Sequence, residues 1–352
     1  MKKLYFLLLI SYISFTAQAT VWTVSNNPNS PGQFSDLQTA IDTSIVNNGD
    51  TLYISGSLTS YGNITLNKPL TLIGTGHHPN KDFPLVSKTG SITLDEKTDA
   101  YGTVLNSADG SKIIGLQTGR LQDYYGASNI KVSKCYIRPE YGGAISASTS
   151  SNNWIISNNF ITCTHYNSST IYLGGTSNVL VNNNVINADA GNNLLAGYNN
   201  TNIIISHNLF IQSTSFATFS ISNAIISNNI FYGVQPTGAS SCTFNNNIAT
   251  SYDLPYDDNT GSNNINVQAP GFVNVPAADY VFNWGYDYRL TASSPGHNAG
   301  TDGTDIGPFG GSDPLSTTGE PAIPVIMQMN ILNPTLPENG TIEIQLKARV
   351  QE

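Results

Sequence analysis

The chain has 352 residues, of which 39% are hydrophobic, 10% aromatic and only 11% charged. That is too apolar and too aromatic for intrinsic disorder. With 14 Lys+Arg against 23 Asp+Glu the formal net charge is −9, which argues against nucleic acid as a partner, because phosphate binding needs a basic footprint.

Lys2 and Lys3 precede an apolar run from Leu4 to Phe15, followed by Ala17-Gln18-Ala19. This pattern predicts a secretory signal peptide over residues 1–19 and an exported protein, secreted or at the cell surface. No stretch reaches the length of about 18 apolar residues that a membrane span needs. Cys135, Cys163 and Cys242 are odd in number and irregularly spaced, without C-x-x-C or histidine at zinc spacing. They read as small buried hydrophobes rather than a disulfide or metal framework.

Ser35-Asp-Leu-Gln38 reads as a capping box. Leu37, Ala40, Ile41 and Ile45 fall on one face of the helix it opens, and Asn48-Gly49 stops it. Strands follow at Thr51–Ser55, Ile64–Leu66 and Leu70–Ile73, punctuated by Gly74 and Gly76.

Further along, one pattern recurs: Asn129-Ile-Lys-Val-Ser-Lys-Cys135-Tyr-Ile137, Asn153-Trp-Ile-Ile-Ser-Asn-Asn159-Phe-Ile161, Asn178-Val-Leu-Val-Asn-Asn-Asn184-Val-Ile186, Asn202-Ile-Ile-Ile-Ser-His-Asn208-Leu-Phe210, Asn223-Ala-Ile-Ile-Ser-Asn-Asn229-Ile-Phe231 and the shorter Cys242-Thr-Phe-Asn-Asn-Asn247-Ile-Ala249. A repeat of about 18–25 residues built from short β-branched runs, with no helical pattern between them, predicts the coils of a parallel β-helix. The leucine-rich-repeat signature is absent.

The repeated Asn suits a tight bend, and an inward amide can hydrogen-bond its counterpart one coil away. Asn159, Asn184, Asn208, Asn229 and Asn247 are expected to form such a ladder, interrupted at one end by Cys135. Alternation then sends Val132, Ile156, Val181, Ile205 and Ile226 inward as one stack, and Ile137, Ile161, Ile186, Phe210 and Phe231 as another. About eleven turns, stacked about 4.8 Å apart, give a rod about 50 Å long.

The intervening residues Ile155, Leu180, Ile204 and Ile225, and Phe160, Val185, Leu209 and Ile230, are apolar as well. Something must cover this flank. Two candidates are the C-terminal tail, with strands at Ile323–Ile331 and Thr341–Val350, and a partner protein. The clear repeats fade after Thr250, and residues 255–308 are loop-rich. The chain thus divides into 1–19 (signal peptide), 20–312 (β-helix with its cap and closing segment) and 313–352 (two-stranded tail).

Phe34-Ser-Asp-Leu-Gln-Thr-Ala-Ile-Asp42, Gly49-Asp-Thr-Leu-Tyr-Ile54 and Lys68-Pro-Leu-Thr-Leu-Ile-Gly74 resemble the opening of secreted bacterial right-handed parallel β-helix proteins of the pectin-lyase-like superfamily. Asp287-Tyr-Arg-Leu-Thr-Ala-Ser-Ser-Pro-Gly-His-Asn-Ala-Gly300 and Thr304-Asp-Ile-Gly-Pro-Phe-Gly310 are similar to its closing segments. The resemblance, over about residues 20–312, implies the all-β solenoid but not one activity, because that superfamily holds lyases, hydrolases, epimerases, adhesins and non-catalytic members. It also implies that a substrate would lie along one outer sheet, here Arg120–Tyr124, Gly143–Ala147, Thr170–Leu173, Asn193–Gly197 and Ala217–Ser220, with the loops beside it.

That face collects Arg120, Asp123, Tyr124, Arg138, Glu140, Tyr141, His165 and Tyr172, with Tyr166 and Asp189 nearby. Aromatic faces stack on sugar rings, while guanidinium and carboxylate groups bind hydroxyls and uronates, so these residues are the candidate glycan-binding set. A metal-assisted lyase would need clustered acids and a basic side chain; an inverting glycosidase would need a carboxyl pair such as Asp123 with Glu140. No cofactor and no metal site is expected, and the oligomeric state is not encoded in any motif. The favoured reading is an exported β-helix that binds glycan or another surface partner without catalysis; the alternative is a polysaccharide lyase or glycoside hydrolase.

Overall fold

Three parallel sheets wind into a right-handed β-helix. The computed structural model describes residues 19–78, 81, 84–165, 167–188, 192–212, 216–333, 335 and 338–350; residues 1–18, most of the expected signal peptide, lie outside them. Each full coil runs through three sheets in turn: a ladder sheet of eleven strands, a covered sheet of eight and a groove sheet of eight. Ile155–Ser157, Phe160–Cys163 and Ser169–Gly174 make one such coil, and Ser177–Asn182 begins the next. Every pairing within these sheets is parallel, with Ile156 beside Val181 and Ile161 beside Ile186. Eleven strands about 4.8 Å apart give the rod its expected length, about 48 Å.

Both inward stacks form as the alternation requires, and all ten of their residues are fully buried. At the corner between the ladder and covered sheets, two adjacent positions divide the work that the repeated Asn suggests. Lys134, Asn158, Asn183, His207, Asn228 and Asn246 take the left-handed conformation, with φ between 52° and 58°. The residue after each points inward.

Asn159 Nδ2 donates to Asn184 Oδ1 at 3.0 Å, Asn184 to Asn208 at 2.9 Å, Asn208 to Asn229 at 3.0 Å and Asn229 to Asn247 at 3.1 Å. Asn247 continues to Asn264 at 2.9 Å, one coil further than the sequence pattern showed. Cys135 ends the ladder at the other side: its N–H donates to Asn159 Oδ1 at 2.9 Å. All three cysteines are buried and none is disulfide-bonded, and burial pushes the Cys135 thiol up to about 12.

The helix near the start is shorter than its pattern. It spans Leu37–Asp42, and its N-cap is Asp36 rather than Ser35, with Oδ1 accepting from Thr39 N at 2.7 Å. Leu37, Ala40 and Ile41 are fully buried, whereas Ile45 lies beyond the helix and is 54% exposed. Lys68 Nζ donates to the carbonyls of Thr43 at 3.0 Å and Val46 at 2.9 Å, which satisfies backbone left over where the helix stops.

The cover over the apolar flank differs from the expectation. Phe160, Val185, Leu209 and Ile230 are buried, but beneath the closing segment: Phe282, Trp284, Tyr288, Ile306 and Leu315 pack on them. The two-stranded part of the tail does not do this. Its strands, Pro324–Ile331 and Ile344–Val350, pair antiparallel with each other, and Met329, Ile331, Ile344 and Leu346 are exposed. The second apolar row is left partly open, Ile155 being 39% and Ile225 49% exposed.

A strap holds the cover in place. Residues 299–320, without a regular strand or helix, pass the coils in reverse order along the left-handed corner. Asn246 Nδ2 donates to Ala299 O at 2.8 Å, and Asn228 exchanges two bonds with Thr301, each 2.9 Å. Asp302 Oδ2 lies 3.4 Å from His207 Nε2. Asn183 Nδ2 donates to the carbonyls of Pro308 at 2.9 Å and Gly310 at 2.8 Å, and Asn158 bonds Asp313 O at 3.0 Å and Ser316 N at 2.8 Å. Lys134 Nζ reaches Glu320 O at 3.3 Å.

Under the strap, His77 is buried against Phe160, Trp284 and Tyr136, with neither ring nitrogen hydrogen-bonded. A Cβ on Gly319, whose φ is +64°, would stand 2.2 Å from the His77 ring, so only glycine closes over it. Burial, helped by the nearby His78 and Lys81, lowers the His77 pKa to about 3. The folded state therefore holds this ring neutral while the unfolded chain protonates it near 6.5. Its contribution to stability is complete above that value and is lost as the pH falls toward 3. We expect urea unfolding to show stability dropping by up to about 1.4 kcal/mol per pH unit below about pH 6 from this group, and His77→Phe to flatten that dependence.

Candidate functional site

The groove sheet contains the strands expected to carry a ligand: Leu121–Asp123, Ile145–Ala147, Ser169–Gly174, Asn193–Tyr198 and Phe216–Ser220 are consecutive neighbours. Parallel pairing puts Thr65, Thr93, Gln122, Ser146, Tyr172 and Ala196 in one row across it. These residues alternate with buried ones such as Ile92, Leu121, Ile145 and Ile171, so the row faces outward. It offers mostly hydroxyl and amide groups, with one aromatic ring.

At one margin of this sheet, where the chain enters its strands, a groove of 610 Å³ is lined by Arg120, Arg138, Glu140 and Tyr141 from the candidate set. Lys88, Asn63, Ser91 and Gln117 line it too. Three adjacent coils set the cations. Lys88 bridges to Gln117, which pairs with Tyr136, two residues before Arg138. Arg138 N donates to Thr118 O at 2.9 Å, and Arg120 O accepts from Ile92 N at 2.7 Å, which fixes both backbones.

The Arg120 side chain lies across the turn at Gly142. A Cβ there would be 3.3 Å from the guanidinium, and φ is +71°, so glycine both makes the turn and admits the side chain. Arg120 Nε is buried without a hydrogen-bond partner. Among the described residues the ion pairs are His207–Asp302, Arg289–Asp287 and His297–Asp305. Lys88, Arg120, Arg138 and Glu140 take part in none of them.

His165 extends this margin: its ring stands 6.0 Å from Tyr141, and Nδ1 lies 3.2 Å from Ser168 Oγ. Tyr172 projects from the sheet itself and pairs with Tyr198, ring centroids 6.2 Å apart. Tyr198 is not in the candidate set. Tyr124 is exposed but follows Asp123 at the far end of its strand, about 13 Å of extended chain from Arg120. Tyr166 and Asp189 lie outside the described residues.

Asp123 is placed elsewhere. Only 3% exposed, it accepts at Oδ1 from the backbone N–H groups of Tyr125 (3.0 Å), Gly126 (3.1 Å) and Ala127 (3.1 Å). At Oδ2 it accepts from Ser148 N at 3.1 Å and Ser151 Oγ at 2.5 Å. Its carboxylate is spent on tying one loop to the next coil, which parts it from Glu140. Among the described lining residues, Glu140 is the one carboxylate in the groove. Among the described residues no three His, Cys, Asp or Glu side chains come together as a metal set.

Lys88, Asn63 and Gln117 escaped the sequence reading because the early coils lack the Asn repeat that gives the later ones their phase. Lys88 is also one of only 14 basic residues in the chain, a scarcity that marks each cation as worth placing.

No family model matches the chain, and no curated protein matches it. Eight solved chains do. One is the crystal structure of pectate lyase Pel9A, with a TM-score of 0.47 at 13% sequence identity, covering 83% of this chain and 96% of that one. The β-helix assignment rests on the strand pairing of the chain itself.

Proposed function

We propose that the chain is an exported β-helix protein that binds an acidic polysaccharide in the groove at Lys88, Arg120 and Arg138, as a binding rather than a cleaving protein. The observation that carries this reading is the uncompensated charge: three cations and one carboxylate line a single groove in a chain of net charge −9. Guanidinium groups bind carboxylates in bidentate fashion, and the hydroxyl and amide row of the adjoining sheet suits the uncharged edges of a sugar chain. Tyr141, Tyr172 and Tyr198 add ring faces for stacking. The leader-like residues 1–19 support export.

Affinity electrophoresis against polygalacturonate, alginate, xylan and dextran tests this. The uronate polymers should retard the protein, and the neutral ones should not do so through the groove. Arg120→Ala and Arg138→Ala should each weaken uronate binding about tenfold, the loss of one or two charge-assisted hydrogen bonds, and salt should weaken it further. Binding unchanged in both variants would remove the groove as the site. Release of unsaturated uronate ends that disappears in Arg138→Ala would instead establish a lyase.

A further inference from the structure

We infer a second binding site, for an uncharged saccharide, between the covered sheet and the closing segment. A cavity of 440 Å³ opens there, a size that seats small ligands. Six of its thirteen described lining residues are aromatic, Trp284, Tyr286 and Phe282 among them, in a chain that is 10% aromatic. Part of this concentration is structural, since Trp284 packs on Phe160 at 4.8 Å and Phe282 at 4.9 Å. Yet Trp284 and Tyr286 are only half-buried and still border open space.

The polar part of the lining decides the ligand class. Arg289 and Asp287 face each other in the plane of the guanidinium: Nε donates to the two carboxylate oxygens at 2.9 and 3.1 Å, and an Nη donates at 2.5 Å. The pair carries no net charge, so it offers an anionic ligand no uncompensated cation. A hydrocarbon would leave it, with Asn283 and Thr317, facing an apolar surface. A sugar ring meets both requirements. Its C–H face lies on indole or phenol, and two neighbouring hydroxyls can give a hydrogen bond to the carboxylate and take one from the unused guanidinium N–H groups.

This site shares no lining residue with the Lys88–Arg120–Arg138 groove and has the opposite charge logic, and it does not depend on the reading of that groove. Trp284 reports on it directly. The other tryptophans lie elsewhere, Trp22 bonded to Asp50 and Trp154 to Ala127 O.

The full chain is titrated with cello-, xylo- and manno-oligosaccharides while tryptophan fluorescence is followed, with oligogalacturonides as the charged comparison. At least one neutral series should give a saturable change that Arg138→Ala leaves untouched. Trp284→Phe should abolish the signal, and Arg289→Ala should weaken binding at least fivefold by calorimetry. The Arg289 side chain is 65% exposed, so its replacement leaves the melting temperature in place even if Trp284→Phe loosens the aromatic cluster. Absence of binding by every neutral series, or affinity unchanged in Arg289→Ala, overturns the site. Loss of uronate binding alone in Arg120→Ala or Arg138→Ala bears only on the groove.

Discussion

Asn208→Ala is expected to lower the unfolding free energy by about 3–5 kcal/mol, seen as a fall in the urea midpoint with little change in slope. The amide sits in the middle of the ladder with every atom engaged. Its Oδ1 accepts from Asn184 N at 3.0 Å and Asn184 Nδ2 at 2.9 Å, while Nδ2 donates to Val181 O at 2.9 Å, Ser206 O at 3.0 Å and Asn229 Oδ1 at 3.0 Å. Alanine strands the Asn184 N–H where water does not reach, at a cost of about 1–3 kcal/mol, and removes the amide's bonds to the Val181 and Ser206 carbonyls and to Asn229 Oδ1 as well. Asn208→Asp is expected to be at least as damaging at neutral pH, because a carboxylate would face three oxygens, and to recover partly on acidification. Cys135→Ala, at the ladder's end, should cost only about 1 kcal/mol, since the thiol makes weak contacts to carbonyls.

Asp123→Ala is expected to cost about 3–4 kcal/mol and to leave uronate affinity within about twofold of the parent, if the fold is held by ligand-free measurement below its new midpoint. Five donors converge on that carboxylate, four of them backbone N–H groups. Losing it frees residues 124–127 from the following coil, so proteolysis should become detectable there first. A variant that melts normally but no longer binds would return Asp123 to the groove and contradict the placement described above.

Much of this architecture can be read from the sequence because a solenoid repeats its instructions. From Asn129 onward the β-branched runs and paired Asn set the phase, and with it the inward stacks and the order of the groove sheet. Asn264 was missed because Thr260–Ser262, which precedes it, has no apolar residue, although Ser262-Asn-Asn264-Ile265 keeps the motif. Alternation also revealed that the flank needed a cover, but a pattern of apolar residues does not name the segment that supplies it. The strap has no period to detect: its bonds join single side chains to groups as far as 186 residues away. Within the candidate site, Arg120, Arg138, Glu140 and Tyr141 fell together because coil phase fixes position around the rod. Asp123 did not join them, since phase says nothing about which way a carboxylate turns when three N–H groups lie just ahead of it.

The strap changes how the rod can come apart. Stacked coils that touch only their neighbours lose them singly, from whichever end frays. Here the terminal coil cannot peel away without first releasing Ala299 from Asn246 and Thr301 from Asn228, and the same ribbon continues to Asn158 and Lys134. A segment that follows the coils in the chain thus acts as a drawstring across six of them, coupling their loss into a single event.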